Sequence, residues 1–234
     1  MKVAVCFSGY PRFVEECFED INNKLLKNLD YDIFANFQWS DNLIGEKIHH
    51  EYDKRWSKNG IHTFEKMYEN IKQIDVIEPY TYDTSWLKGS NHFYWISIQE
   101  QREMLYRFKS QYLGISDCVN KIDIDKYDYV LRLRTDLLLE REIMPDEIFT
   151  DSIVNQDGYV AGHDRRYSDW FFSCPTKHID FFKDLSNLEE HYQNGLLHMH
   201  TLIEKLAHKY PIVDKNLGIN NPSTSSNRNY LRIS

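Results

Sequence analysis

Three side chains in the segment Tyr127-Asp128-Tyr129-Val130-Leu131-Arg132-Leu133-Arg134-Thr135-Asp136 stand out by type and spacing. Val130, Leu131 and Leu133 mark a buried central strand, yet Arg132, Arg134 and Asp136 recur at period two, which predicts that all three share one face. Two guanidiniums on one face of a central strand are costly to bury unless they are paired or turned to a ligand. One reading is a ligand site, in which Asp136 holds a divalent cation through its carboxylate oxygens. Arg132 or Arg134 then lies against a pyrophosphate or holds the acidic group in place. The other reading is an internal ion pair, with Asp136 opening a turn. Spacing alone leaves both open.

The elements that must position these residues read as an α/β chain. Val3 to Ser8 is a buried strand that stops at the breaker-rich turn Ser8-Gly9-Tyr10-Pro11-Arg12. Phe13, Cys17, Ile21 and Leu25 follow at spacing four on one helical face. Asp32 to Phe37 is a second strand, ending in the polar loop Gln38-Trp39-Ser40-Asp41-Asn42. A helix near His62–Gln73 and a strand at Ile74–Ile77 complete a β-α-β-α-β order, the pattern of a mainly parallel sheet. A long amphipathic stretch from about Tyr94 to Leu113 has Ile98, Met104, Leu105, Phe108 and Tyr112 as its core residues. After the Tyr127 strand, Gly158–Gly162 and Trp170–Cys174 read as further strands, separated by a charged loop. Two helices follow, about Thr176–Leu185 and Asn187–Lys209. The expected organisation is a single domain over residues 1–213 and a polar arm over 214–234. Ligands of open α/β sheets sit beyond the carboxyl ends of the strands, which here means Ser8-Gly9, Asp41 and Asp136.

The segment from Tyr127 to Asp136 resembles the strand that carries the Asp-x-Asp metal motif of GT-A glycosyltransferases, in an Arg-x-Arg-x-Asp version found among small bacterial and viral GT-A proteins. Val3-Ala4-Val5-Cys6-Phe7-Ser8-Gly9-Tyr10-Pro11-Arg12 is similar to that group's first strand and nucleotide loop. Asp32 to Trp39 is similar to its second strand, and Asp169-Trp170-Phe171-Phe172-Ser173-Cys174 to a later strand that opens with Asp. The order and spacing of these pieces, from residue 3 to about 174, carry the resemblance.

That resemblance implies a GT-A-like, Rossmann-like sheet with helices on both faces. It also implies transfer of a sugar from a UDP- or GDP-linked donor to a glycan or other hydroxyl acceptor, with Mn²⁺ or Mg²⁺ at Asp136. Arg134 stands where the family has its first aspartate, so one motif carboxylate is lost. By the same resemblance, the Ser8-Gly9 turn brings backbone close to the nucleotide, Arg12 reaches its phosphates or base, and Arg132 and Arg134 meet the diphosphate. Asp41 is placed at the ribose or base, or forms a local turn. If the anomeric centre inverts, Asp169, between a charged loop and an apolar strand, takes the proton of the acceptor hydroxyl; the other reading makes it a strand-end cap. A late histidine enters the metal site in some GT-A enzymes. His198 and His200, two apart on one predicted helix, are a poor chelating pair, so either one alone, with His200 the candidate, completes the site or is a surface histidine. Trp39, Trp95 and Trp170 are candidates to stack on a sugar or base, or core residues.

Composition narrows the alternatives. With 28 Lys+Arg against 36 Asp+Glu, the chain has a net charge of −8 and no basic tail, so nucleic acid is not its expected partner. No apolar run reaches the length of a membrane span. Cys6, Cys17, Cys118 and Cys174 are widely spaced without a Cys-x-x-Cys pair, which points to free thiols in the cytoplasm. The sequence holds no P-loop and no Gly-x-Ser-x-Gly elbow, which excludes P-loop kinases and the usual serine hydrolases. A nucleotidyltransferase would show a Gly-rich first loop, and this loop has one glycine. A non-catalytic carbohydrate- or protein-binding module on the same fold is the alternative from another class.

Overall fold

Strand β1 (Lys2–Gly9) forms because six consecutive residues can all be buried. Val3, Val5 and Phe7 go to one side of the sheet, Ala4 and Cys6 to the other. The structure is a computed structural model that describes residues 1–40, 59–81, 83–85, 97–157, 167–187 and 199–220; the side chains at 104, 107, 108, 167 and 199–201 lie outside it. In chain order the strands that follow are β2 (Asp30–Gln38), β3 (Ile71–Ile77), β4 (Tyr129–Leu133), β5 (Leu138–Leu139), β6 (Ile153–Asp157), β7 (Tyr167–Pro175), β8 (Ile212–Lys215) and β9 (Ile219–Asn220). Seven of them make one sheet in the order β3-β2-β1-β4-β7-β6-β8, and β5 pairs with β9 separately. All strands of the large sheet run one way except β7, which is antiparallel to both β4 and β6. This is the expected α/β class with a mainly parallel sheet.

Helices cover both faces. On the Val3/Val5/Phe7 side lie α1 (Val14–Ile21), which runs on into a π-helical segment (Asn22–Leu26), and α2 (Asn59–Met67). Phe64 of α2 is fully buried, with its ring 5.0 Å from those of Phe7 and Phe37 in edge-on contacts. Truncating a buried phenylalanine of this kind costs about 3–5 kcal/mol. On the other side lie α3 (Ile98–Val119), α5 (Asp180–Ser186) and α6 (Met199–Leu206). The short α4 (Pro145–Ile148), between β5 and β6, buries Ile148 on the Val3/Val5/Phe7 side. Ser97 and Glu100 open α3 with a reciprocal capping box. At the amino ends of β1 and β2, buried Asp32 is matched by Lys2 at 2.7 Å, Lys72 at 3.2 Å and the Tyr127 hydroxyl at 2.9 Å. That network lies at the end of the sheet away from the candidate site.

Several expected boundaries move. The helix near residue 62 ends at Met67, because Asn70 adopts a left-handed φ of 58° and Ile71–Gln73 join β3. The Tyr127 strand stops at Leu133, so Arg134 and Asp136 stand in the turn beyond it. The Gly158–Gly162 strand and the charged loop after it lie outside the described residues, while Ile153–Asp157 just before them forms β6. Residues 212–215 pair with β6 and residues 219–220 with β5, so the arm expected from 214 is part of the fold at least to Asn220. Leu105 and Tyr112 are buried on α3 as expected, whereas Ile98 is exposed.

Candidate functional site

β1 is the strand at which the sheet order reverses. From it the chain steps outward to β2 and β3 on one side, then crosses to β4 on the other. The crevice between the carboxyl ends of β1 and β4 is therefore a topological switch point, the usual ligand position in such sheets. Phe7 pairs with Leu133, so residues 8–12 and 134–136 leave the sheet side by side.

The loop after β1 turns at Gly9, whose φ of 107° suits a residue without Cβ, and enters α1 through Phe13 at a left-handed φ of 51°. Thr135 stitches it to the loop after β4: the Arg12 N–H donates to Thr135 Oγ1 at 3.1 Å, and the Thr135 hydroxyl donates to the Arg12 carbonyl at 2.9 Å. Gly60 at the start of α2 presses on the same loop. A Cβ there would sit 2.4 Å from the Pro11 carbonyl oxygen.

Asp136, 2% exposed, is held by two guanidiniums. Arg134 Nε donates to Oδ1 at 2.8 Å and Arg134 Nη2 to Oδ2 at 2.7 Å, while Arg12 Nη2 reaches Oδ2 at 2.8 Å. Burial by itself would raise the Asp136 carboxyl, but Arg134 and then Arg12 outweigh it and hold it below the usual carboxylate range. Burial likewise disfavours the Arg134 cation, and Asp136 more than offsets this, leaving Arg134 above its ordinary value.

Arg132 and Asp169 extend the cluster on the α3 side. Arg132 stays on the strand, opposite Cys6, and is fully buried. One of its Nη atoms donates to the Asp169 carbonyl, and its Nε has no partner among the described residues. Burial pushes this guanidinium down to about 10 against the pull of Asp169, which leaves it cationic at neutral pH. On β7, Asp169 Oδ2 accepts from the Gln111 side chain of α3 and lies 3.7 Å from Arg134 Nη1. Ser8, at the end of β1, is buried, and its hydroxyl, like the Ser110 hydroxyl and Gln38 Oε1, has no partner among the described residues.

The structure thus brings together Ser8, Gly9, Arg12, Arg132, Arg134, Asp136 and Asp169. Asp41 lies outside the described residues, as do Trp95 and His198. His200 is on α6, and its side chain is not described. The shared face expected for Arg132, Arg134 and Asp136 is corrected, because the strand ends between the first and the second. Trp39 is buried in the core and Trp170 packs against it. Sequence reasoning missed Thr135 and Gln111, because each sits beside other polar residues (Arg134 and Asp136; Lys109 and Ser110) and nothing local sets it apart.

Among the described residues no group of three or more His, Cys, Asp or Glu could hold a metal ion. The Mn²⁺ or Mg²⁺ expected at Asp136 would meet a carboxylate whose two oxygens carry three N–H donors from two cations. These residues do not fit a divalent ion. The four cysteines are buried free thiols, and burial raises Cys17, Cys118 and Cys174 away from the reactive thiolate form. Among the described residues no helix is long and apolar enough to cross a membrane.

No family model and no curated protein sequence matches the chain. Solved structures do match. One is the apo form of the glycosyltransferase GlyE from Streptococcus pneumoniae TIGR4, at 12% identity and a TM-score of 0.47, over 90% of this chain and 44% of that one. The chain spans less than half the length of that protein. A likeness so distant says nothing of what this chain binds, and its function is argued from its own site.

Proposed function

We propose that this chain is a glycosyltransferase that moves a sugar from a UDP- or GDP-linked donor to a hydroxyl of a glycan or other acceptor. The observation that supports it is the meeting of Arg12 and Arg134 on Asp136 at the β1/β4 switch point, beside the carboxylate of Asp169. The five charged side chains there, three guanidiniums and two carboxylates, have a formal excess of one positive charge, which suits a diphosphate. The resemblance of the β1, β2, β4 and β7 segments to GT-A proteins points the same way.

In this reaction the acceptor oxygen bonds to the anomeric carbon while the bond from that carbon to the phosphate oxygen breaks. The electron pair leaves on the diphosphate, whose growing charge Arg12 and Arg134 meet. In water-excluded sites each such preorganised donor contributes about 2.7–4 kcal/mol to lowering the barrier. The acceptor proton passes to the Asp169 carboxylate, whose Oδ2 is steadied by Gln111. The Gly9 turn lets backbone N–H groups approach the phosphates. Four buried thiols fit a cytoplasmic setting.

The test is release of nucleoside diphosphate from a panel of UDP- and GDP-sugars, with simple glycans as acceptors. Release that depends on acceptor and is lost in Arg12→Ala supports transfer. Tight binding without release under any pairing would make the chain a binding module.

A further inference from the structure

We infer that the donor diphosphate is held by an arginine clamp without a resident divalent cation, and that Asp136 is the positioning residue that sets the clamp. This rests on the proposed donor site and names how that site neutralises charge. A metal at the motif aspartate needs carboxylate oxygens that face the crevice. Here Oδ1 accepts from Arg134 Nε at 2.8 Å, and Oδ2 accepts from Arg134 Nη2 at 2.7 Å and Arg12 Nη2 at 2.8 Å. A cation would have to approach between two guanidiniums, against like charge.

The same geometry serves an anion. A guanidinium carries five N–H donors in a fixed fork, and Asp136 takes two from Arg134 along its Nε–Nη2 edge. That grip fixes the plane of the guanidinium and leaves Nη1 on its other edge, 3.7 Å from Asp169. Arg132 adds a fully buried cation behind it, with Nε unpartnered among the described residues. Arg12 arrives from the β1 loop, whose own backbone is tied to Thr135. One carboxylate thus orients two cations from two loops and leaves the cluster net positive. The arginine in the place of a motif aspartate supplies the charge a metal would have brought.

The experiment is calorimetric titration of the whole chain with UDP, GDP and inorganic pyrophosphate in EDTA. The two nucleotides are repeated in Mn²⁺. The expected result is a nucleotide Kd that agrees within about threefold between EDTA and Mn²⁺. Arg134→Gln and Asp136→Asn each weaken binding about tenfold or more, equally in both conditions. A Kd measurable only in Mn²⁺, with that dependence lost in Asp136→Asn, would overturn the clamp and restore the metal. Pyrophosphate binding in EDTA with no nucleotide binding would uphold the clamp and sink the donor assignment instead. Absence of binding by all three probes overturns both. If Asp136→Asn does not fold, the EDTA comparison on the wild type and Arg134→Gln still decides.

Discussion

Arg12 and Asp136 are 124 residues apart in the chain and meet through a 2.8 Å hydrogen bond between Nη2 and Oδ2. The contact joins the loops that leave β1 and β4, and Arg134 closes on the same carboxylate from the other side. Because Asp136 is buried, its charge depends on compensation by neighbouring cations such as these two. Asp136→Ala leaves two guanidiniums facing each other and is expected to cost about 3–5 kcal/mol of folding stability, read as a lower urea midpoint. A loss within experimental error would show that solvent already screens the cluster.

Gly60 is expected to transmit a distant change into the site. A methyl group there would lie 2.4 Å from the Pro11 carbonyl, a contact that backbone must move to relieve. Gly60→Ala should cost about 1–3 kcal/mol and weaken nucleotide binding by displacing Arg12. Gly114→Ala is the comparison, since its new methyl meets a side-chain atom, Gln38 Nε2 at 3.1 Å, and not the Pro11 backbone. Equal binding in both variants would disconnect α2 from the site.

Part of this was legible in the sequence. β1 and β2 were, because their residues are apolar, consecutive and bounded by breakers, so local pattern and tertiary burial agree. β6 was not: Asn155 and Gln156 are polar and carry no strand pattern, yet both are buried. The Asn155 amide donates to the carbonyls of Ser168 and Phe171 at 2.7 and 2.9 Å, and Gln156 accepts from the Leu217 N–H at 2.9 Å. Those partners lie 13 to 61 residues away, beyond any local pattern. The arm expected after 213 was misjudged for the same reason, as its pairing partners are β6 and β5. At the site, residue types were legible while geometry was not. Alternation of Arg132, Arg134 and Asp136 implied one strand face, but the strand ends at Leu133 and Arg134 folds back two residues onto Asp136. Nothing local marks Gln111 as the partner of Asp169.

Acid sensitivity should be measurable at α4. Hydrogen bonds from Arg141, and then from the Met144 N–H, push the Glu147 carboxyl down from 4.5 to about 2. A carboxyl lowered by folding stabilises fully above its unfolded value, and that stability is lost as pH falls through the folded one. Wild type is therefore expected to lose stability between about pH 4.5 and about 2 more steeply than Glu147→Gln, followed by urea midpoints at successive pH values. Parallel curves would remove this pair from the acid limb.

Asp169 is assigned the proton of the acceptor hydroxyl. Asp169→Asn keeps an oxygen for Gln111 and removes the base, so turnover should fall about 10²–10⁴-fold while nucleotide affinity stays within about threefold. Turnover equal to wild type would assign the proton elsewhere; equal losses in turnover and affinity would make Asp169 a ligand of the donor.

The central claim is that a nucleotide sugar sits at the β1/β4 switch point between Arg12 and Arg134. Amide hydrogen exchange with and without a saturating nucleotide sugar tests it most directly, because it locates the ligand without relying on a mutant. New protection is expected in two separate stretches, residues 8–13 and 134–137, appearing together. Saturable binding that protects other segments and leaves both of these unchanged would contradict the claim.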